Sequence, residues 1–459
     1  MPSQHHGKSG VAFIARALHQ FVTVSLRIVP NMMTAILFQS DQRNYVRGMR
    51  TRHNYWRRTV ALATGGLLAA GAALMSNTDA ARADDFGHVA VQRVLDRATG
   101  DSGLPGIVAD IRDGRRRWFG SAGVADLATG RARRPQDRFR IGSITKTFTA
   151  TVMLQLVAEQ KVSLDDNVER WLPGVVRGNG HDGSAITVRQ LLNQTSGIFN
   201  YVMDPAVAAK FYGLPFLEHR FDGVRPDELV RIAMGNPPAF PPGADWGYSN
   251  TNYVLAGMII EKASGRTLAS QITQRIIHPL HLSGTYVPVG DDPAIRGPHG
   301  RLYSKLMLSA PDAAIYDVTE QNPSGGWAAG NMISTIEDLN TFFGALMNGR
   351  LLRPAQQRQM FTTVPTHGWI DNSTYGLGMS SVTLSCGVTV WGMGGAINGS
   401  WSYAYGTRDG RHLLTTNVNG DWASRAWTTP IGLFTDVLRA EFCPAAPSTD
   451  RVSPNRVST

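Results

Sequence analysis

Segments with strand character lie at the two ends of the apolar part of this chain, and its long middle has almost none. Residues 104–111 and 117–124 read as two strands around the turn Asp113-Gly114. Far downstream, residues 387–392, 400–405 and 412–418 alternate or run apolar between glycine-rich turns. The interval 159–330 holds helical pieces instead (188–193, 251–264, 268–277) and Pro/Gly-rich loops. The run Asn236-Pro237-Pro238-Ala239-Phe240-Pro241-Pro242-Gly243 can be neither helix nor central strand. Strands must bury a face together, so both ends are expected to meet in one antiparallel sheet, with the helical block as a second lobe. Amphipathic segments at 85–97 and 427–442 predict helices that cover the sheet, and another helix is expected near 335–347. The expected class is α/β of the α+β kind. A sheet lobe is drawn from about 84–142 and 331–443, and a mostly helical lobe from about 143–330.

Charge is unevenly spread. Residues 1–83 carry ten Lys or Arg and two Asp or Glu, a net +8 of the total +10. The nearly neutral remainder has no electrostatic footprint for nucleic acid. The basic excess belongs to an export signal: Arg57-Arg58, an uncharged apolar run over 59–75, and the small-x-small site Ala81-Arg82-Ala83. The run is short for a membrane span. Cleavage there would start the mature chain at Asp84, outside the cell and without a stable membrane anchor. The arginine pair admits a twin-arginine route beside the general one. Met49-Arg50-Thr51-Arg52 would be a natural start for a signal over 49–83, so 1–48 reads as an over-long start or an extension. The polar, Pro/Ser-rich tail 444–459 is expected to be disordered.

The chain has two cysteines, Cys386 and Cys443. In an oxidising compartment they can bridge, or they can stand as separate buried thiols. No Cys/His spacing suits a metal, and neither metal nor cofactor is expected.

Chemistry is suggested at one place. Of six lysines, only Lys146 follows a serine by three residues, in Arg140-Ile141-Gly142-Ser143-Ile144-Thr145-Lys146. A serine hydroxyl is a weak nucleophile until a base lies within hydrogen-bond reach. A helix opening at Ser143 would hold the Lys146 amine on the same face. Residues 148–157 are apolar on nearly every side, so that helix is expected to be buried. A desolvated lysine has a lowered pKa and can act as a base. The bland alternative is a helix cap beside a solvated lysine. Tyr248-Ser249-Asn250 could supply a proton shuttle and an amide donor, or could be simple turn chemistry. In Val390-Trp391-Gly392-Met393-Gly394-Gly395-Ala396 the glycines would let a substrate backbone approach a strand, or would mark a bulge.

In this order the three elements resemble the penicillin-recognising serine hydrolases, the β-lactamase and serine-type D-alanyl-D-alanine carboxypeptidase family. Within it, the chain resembles the secreted streptomycete carboxypeptidase and its relatives. The resemblance covers nearly all of 84–443. Supporting segments are Leu191-Leu192-Asn193-Gln194-Thr195-Ser196-Gly197, Met332-Ile333-Ser334-Thr335 and Tyr375-Gly376-Leu377-Gly378. It implies a β-lactamase/transpeptidase-like fold and an acylated Ser143, with Lys146 and Tyr248 sharing proton transfer. Asn250 would bind the substrate amide, and the backbone N–H groups of Ser143 and Ala396 would form the oxyanion hole. Trp327 would line the cleft or serve as a packing residue. The family also suggests that Cys386 and Cys443 form a disulfide.

Three departures bear on substrate. Met393 stands where the family has His or Lys, and a thioether donates nothing. Gly394 replaces the usual Thr or Ser, and Ser380 stands where the carboxypeptidase has an arginine for the substrate carboxylate. The resemblance therefore implies an exported hydrolase, expected as a monomer, that acts on cell-wall stem peptides or β-lactams. An esterase or D-amino-acid amidase of the same fold is the alternative, and a peptide-binding protein without turnover is a third reading. No G-x-S-x-G occurs, which disfavours a lipase-type α/β-hydrolase.

Overall fold

In the computed structural model, eight strands form one antiparallel sheet whose ladder joins the two ends of the chain. The described residues are 88–443 without 309, 311, 423–426 and 428–429. The expected signal 49–83, the segment 1–48 and the tail 444–459 lie outside them. We number β1 (Gly106–Asp113), β2 (Arg116–Gly123), β3 (Val364–Pro365), β4 (Ser373–Tyr375), β5 (Ser380–Thr383), β6 (Thr389–Ile397), β7 (Ser400–Gly406) and β8 (His412–Val418). Across the sheet the order is β2-β1-β8-β7-β6-β5-β4-β3. β1 lies against β8, with Ile107 opposite Val418 and Asp113 opposite His412.

The longest helices are α1 (Val89–Gly100), α2 (Thr145–Ala158), α3 (Asn250–Ser264), α4 (Ile336–Met347) and α5 (Pro430–Phe442). Successive strand residues point to opposite faces, and the two faces have different covers. Ile107, Ala109, Ile111, Val390 and Leu414 join Val91, Leu95, Phe434 and Val437 of α1 and α5 in one core. Val108, Met393, Ala404 and Leu413 face a larger core built from α2, α3 and α4. Cys386, in the β5–β6 turn, is bridged to Cys443 just past α5. The chain thus has the α+β architecture expected of it.

α2 runs through the middle of the larger core. Its residues from Thr145 to Leu154 are all buried, so each hydroxyl in it must find a partner. Thr147 donates to the Gly378 carbonyl at 2.7 Å, Thr149 to Ala328 at 2.9 Å, and Thr151 to Thr147 at 2.7 Å. The Phe148 ring stacks on Phe342 of α4, with centroids 3.7 Å apart.

Some boundaries differ from the sequence reading. The glycine-rich strand does not stop at Gly392 but runs to Ile397, because β7 pairs with it as far as Ile397 opposite Ser400. The helix expected over 268–277 is α-helical only over Leu268–Ile272 and continues as a π-turn, Thr273–Ile277. Phe148→Ala should cost about 3–5 kcal/mol of stability by opening a cavity between α2 and α4. Urea denaturation followed by tryptophan fluorescence would measure it.

Candidate active site

Between Phe139 and Leu154 every residue is buried except Ser143. This residue sits in the 3₁₀ turn Gly142–Ile144 that leads into α2, not at a helix cap; the caps of both segments lack side-chain bonds. Its hydroxyl is therefore free to meet other groups. Lys146 Nζ lies 3.0 Å from Ser143 Oγ, and Tyr248 donates its phenol proton to the same oxygen at 2.7 Å.

Lys146 is fully buried. Its other contacts are Asn250 Oδ1 at 2.7 Å and the Ala329 carbonyl at 2.8 Å; both are neutral acceptors. Burial without a carboxylate pushes its pKa well below the ordinary 10.5. A neutral amine has two N–H groups and one lone pair. Asn250 and Ala329 take the two N–H groups, which leaves the lone pair facing the Ser143 hydroxyl. Burial also holds the Tyr248 phenol well above its usual value, reinforced by the nearby Tyr375 phenol, and the bond to Ser143 only partly offsets this. Burial thus favours the neutral form of both groups, in which the amine can accept and the phenol can donate. Asn250 Oδ1 faces the lysine, so its Nδ2 is left to donate outward.

The third element lies alongside. β5 pairs with β6 only from Thr389 to Gly392, so among the described residues Met393–Ile397 present an edge without a partner strand on that side. This edge meets the Ser143 turn at van der Waals limits. Gly142 has φ +51°, and a methyl group there would lie 2.7 Å from the Ala396 nitrogen. A side chain at Gly395 would run into the Ile141 carbonyl and come within 2.9 Å of the Ser143 nitrogen. The Ser143 and Ala396 amides are therefore brought to neighbouring backbone, as an oxyanion hole requires. Ala396 itself is exposed.

The remaining expected residues are placed differently from one another. Met393 is 1% exposed and belongs to the core beneath the site. A side chain at Gly394 would lie 2.9 Å from the Tyr403 ring, so packing excludes the family's hydroxyl there unless that ring moves. Trp327 is half-buried and heads the short helix Trp327–Gly330; its ring edge packs on Gly257 of α3. Ser380 is fully buried, with its hydroxyl between the Gly392 carbonyl at 2.9 Å and the Tyr405 hydroxyl at 2.8 Å.

Sequence reasoning missed several supports. Gln194 Oε1 accepts from the Ser249 N–H at 3.1 Å and from Asn252 Nδ2 at 2.6 Å, which fixes the turn carrying Tyr248 and Asn250. Asn200 Oδ1 accepts from the Asn250 N–H at 3.1 Å. Trp369 stacks on the Tyr248 ring at 5.9 Å. Lys146 Nζ lies 4.9 Å from the centroid of that ring. Gln194 lies in the Leu191–Gly197 segment; nothing in the sequence marked Asn200 or Trp369, which are distant loop residues.

A model of the family described as Beta-lactamase matches residues 91–423. The chain belongs to this family. It is a serine hydrolase with the β-lactamase-like fold. Among solved structures, it is 52% identical to a D-stereospecific amidohydrolase from Streptomyces sp., with a TM-score of 0.71 over 78% of this chain and 99% of that one. It is 26% identical to the D-amino acid amidase of Ochrobactrum anthropi SV3, with a TM-score of 0.66 over 76% and 97%. Among curated proteins it is 34% identical to Esterase EstB of Burkholderia gladioli over 192 residues, 41% of this chain and 48% of that protein. The alignments thus span less than half the length of this and the other curated relatives, such as 38% of penicillin-binding protein 4* of Bacillus subtilis.

Gln194→Leu should leave the Ser249 N–H and the Asn252 amide unpaired in a buried site, at about 1–3 kcal/mol for each. The expected result is a lower urea midpoint together with a fall in turnover.

Proposed function

We propose that this hydrolase cleaves amides and esters that lack a free carboxylate, D-amino-acid amides foremost, through an acyl group carried on Ser143. The observation that carries the reading is the neutrality of the site. Lys146 spends its contacts on Ser143, Asn250 and Ala329, Met393 is a buried thioether, and the Ser380 hydroxyl is consumed inside the sheet. None of these groups offers a charge to a substrate carboxylate. Losing one charge-assisted bond costs about 1.5–3 kcal/mol, so a peptide ending in a free D-alanine would be held poorly. The likeness to an amidohydrolase and an amidase supports the same choice over a carboxypeptidase.

In this mechanism Ser143 Oγ bonds to the substrate carbonyl carbon as its proton passes to the Lys146 amine. The carbonyl oxygen becomes an oxyanion held by the Ser143 and Ala396 N–H groups, and Asn250 Nδ2 orients the acyl group. Collapse breaks the bond to the leaving amine or alcohol, which takes a proton from Tyr248. The Lys146 ammonium then returns a proton to the phenolate. Water attacks the Ser143 ester by the reverse proton path and releases the acid. We propose further that the chain acts outside the cell after loss of residues 49–83; the Cys386–Cys443 disulfide supports an oxidising compartment.

Ser143→Ala should abolish covalent labelling by a fluorophosphonate, read by intact mass; retained label would sink the nucleophile assignment. In the wild type, D-phenylalanine amide and p-nitrophenyl acetate should exceed a D-Ala-D-Ala peptide in kcat/KM by about 10- to 100-fold. The opposite ranking would restore the carboxypeptidase reading.

The base works only when unprotonated, so activity should fall on the acid side of the Lys146 pKa. Because burial lowers that pKa, kcat/KM for the ester should reach its plateau well below pH 10.5. A rate still climbing through the ordinary lysine range would overturn the lowered Lys146 pKa.

A further inference from the structure

A chain of buried polar groups runs from the sheet to the nucleophile turn, and no proton-transfer step uses it. It begins at Arg133, which is 5% exposed. Burial lowers its pKa only to about 10, so it stays cationic at neutral pH. Arg133 Nη2 donates to Asn417 Oδ1 at 2.5 Å. A guanidinium only donates, so this contact fixes the amide with Oδ1 toward the arginine and Nδ2 away from it. Nδ2 then reaches Ser400 Oγ at 3.0 Å, Ser402 Oγ at 3.1 Å and the Trp401 carbonyl at 3.1 Å. With its oxygen accepting from Asn417, Ser400 turns its own proton to the Arg140 carbonyl at 2.8 Å. Ser400, Ser402 and Asn417 are fully buried. Every donor in the chain points the same way, toward Arg140, and aligned bonds of this kind polarise one another.

The end of the chain bridges the two strands of residues that make the oxyanion hole. The Arg140 carbonyl lies just ahead of Ile141-Gly142-Ser143. Ser400 faces Ile397 across the two-residue turn Asn398-Gly399, next to Ala396. Asp421 Oδ2 holds that turn by accepting from the Gly399 N–H at 2.9 Å. The Gly142 turn already touches Ala396 as closely as backbone can, so a small slip of one segment past the other changes the gap between the two amides.

We propose that Ser400, oriented by Asn417 and Arg133, is a positioning residue that sets the spacing of the Ser143 and Ala396 amides around the oxyanion. The proposal rests on the acyl-Ser143 reading above. Removing the hydroxyl leaves the buried Arg140 carbonyl without this donor and lets the nucleophile turn shift against β6. Loss of a complete oxyanion donor costs about 100- to 1,000-fold in kcat; a displaced one should cost at least about 10-fold.

The test uses p-nitrophenyl acetate turnover, corrected for active sites by fluorophosphonate titration, with phenylboronic acid as a tetrahedral probe of the hole. Ser400→Ala should lower kcat at least about tenfold with KM within about twofold, and weaken phenylboronate binding in parallel. Ser400→Thr, which keeps the hydroxyl, should recover most of the rate. Ser402→Ala touches the same asparagine but not Arg140, and should leave kcat and boronate binding nearly unchanged. Should Ser400→Ala not fold, Asn417→Ser breaks the same chain one link earlier and is read in the same way. The proposal is overturned if Ser400→Ala, or Asn417→Ser in its place, melts earlier yet keeps kcat per titrated site. It is equally overturned if Ser402→Ala matches the loss. Wild-type protein that neither turns over the ester nor takes the label would sink the acyl-serine reading itself, a distinguishable failure.

Discussion

An amine buried without a carboxylate is the constraint around which this structure is arranged. Taking an ammonium out of water is costly unless it is paired. The chain meets Lys146 with an amide oxygen, a backbone carbonyl and the Ser143 hydroxyl, all neutral. Burial therefore lowers the pKa of the amine, which favours the neutral form that the proposed base requires. A carboxylate partner would have restored the positive charge and removed the basicity. Packing around α2 supplies the desolvation, because its residues from Thr145 to Leu154 are all buried and even its threonines find partners within the protein.

The rest of the site follows from bringing three separate segments to that amine. Gln194 and Asn200 hold the turn with Tyr248 and Asn250 from the helical lobe. The sheet brings β6 from the far end of the chain, and glycines at 142 and 395 let backbone meet backbone. The chain of bonds from Arg133 to Arg140 spans the same seam.

Neutrality extends from the base to the substrate cleft. Met393 faces the core, a side chain at 394 would meet the Tyr403 ring, and Ser380 is sealed in the sheet. These three positions read in the sequence as lost contacts to a carboxylate. In the fold they are packing solutions: the sheet closes around small and apolar groups where the family's polar groups would otherwise emerge. Restoring one polar residue would therefore disturb the packing as well as add a contact.

Much of this was legible in the sequence because it depends on local pattern. Residue spacing placed Lys146 beside Ser143, the all-round apolar run marked α2 as buried, and strand-like ends predicted a sheet closed by both termini. Local pattern also suggested a strand ending at Gly392 and a helix opening at Ser143, and both differ from the fold. The β7 ladder carries β6 to Ile397, and a 3₁₀ turn presents Ser143 ahead of α2. Asn200, Ala329, Trp369 and the chain through Asn417 and Ser400 carried no signal, because each acts across a contact between residues remote in sequence. The sequence by itself determined which groups could do chemistry and which segments must be buried, since those follow from residue type and periodicity. Tertiary structure alone decided that Lys146 is buried without a carboxylate and how closely the Ser143 turn meets β6, because desolvation and close approach are properties of the assembled fold.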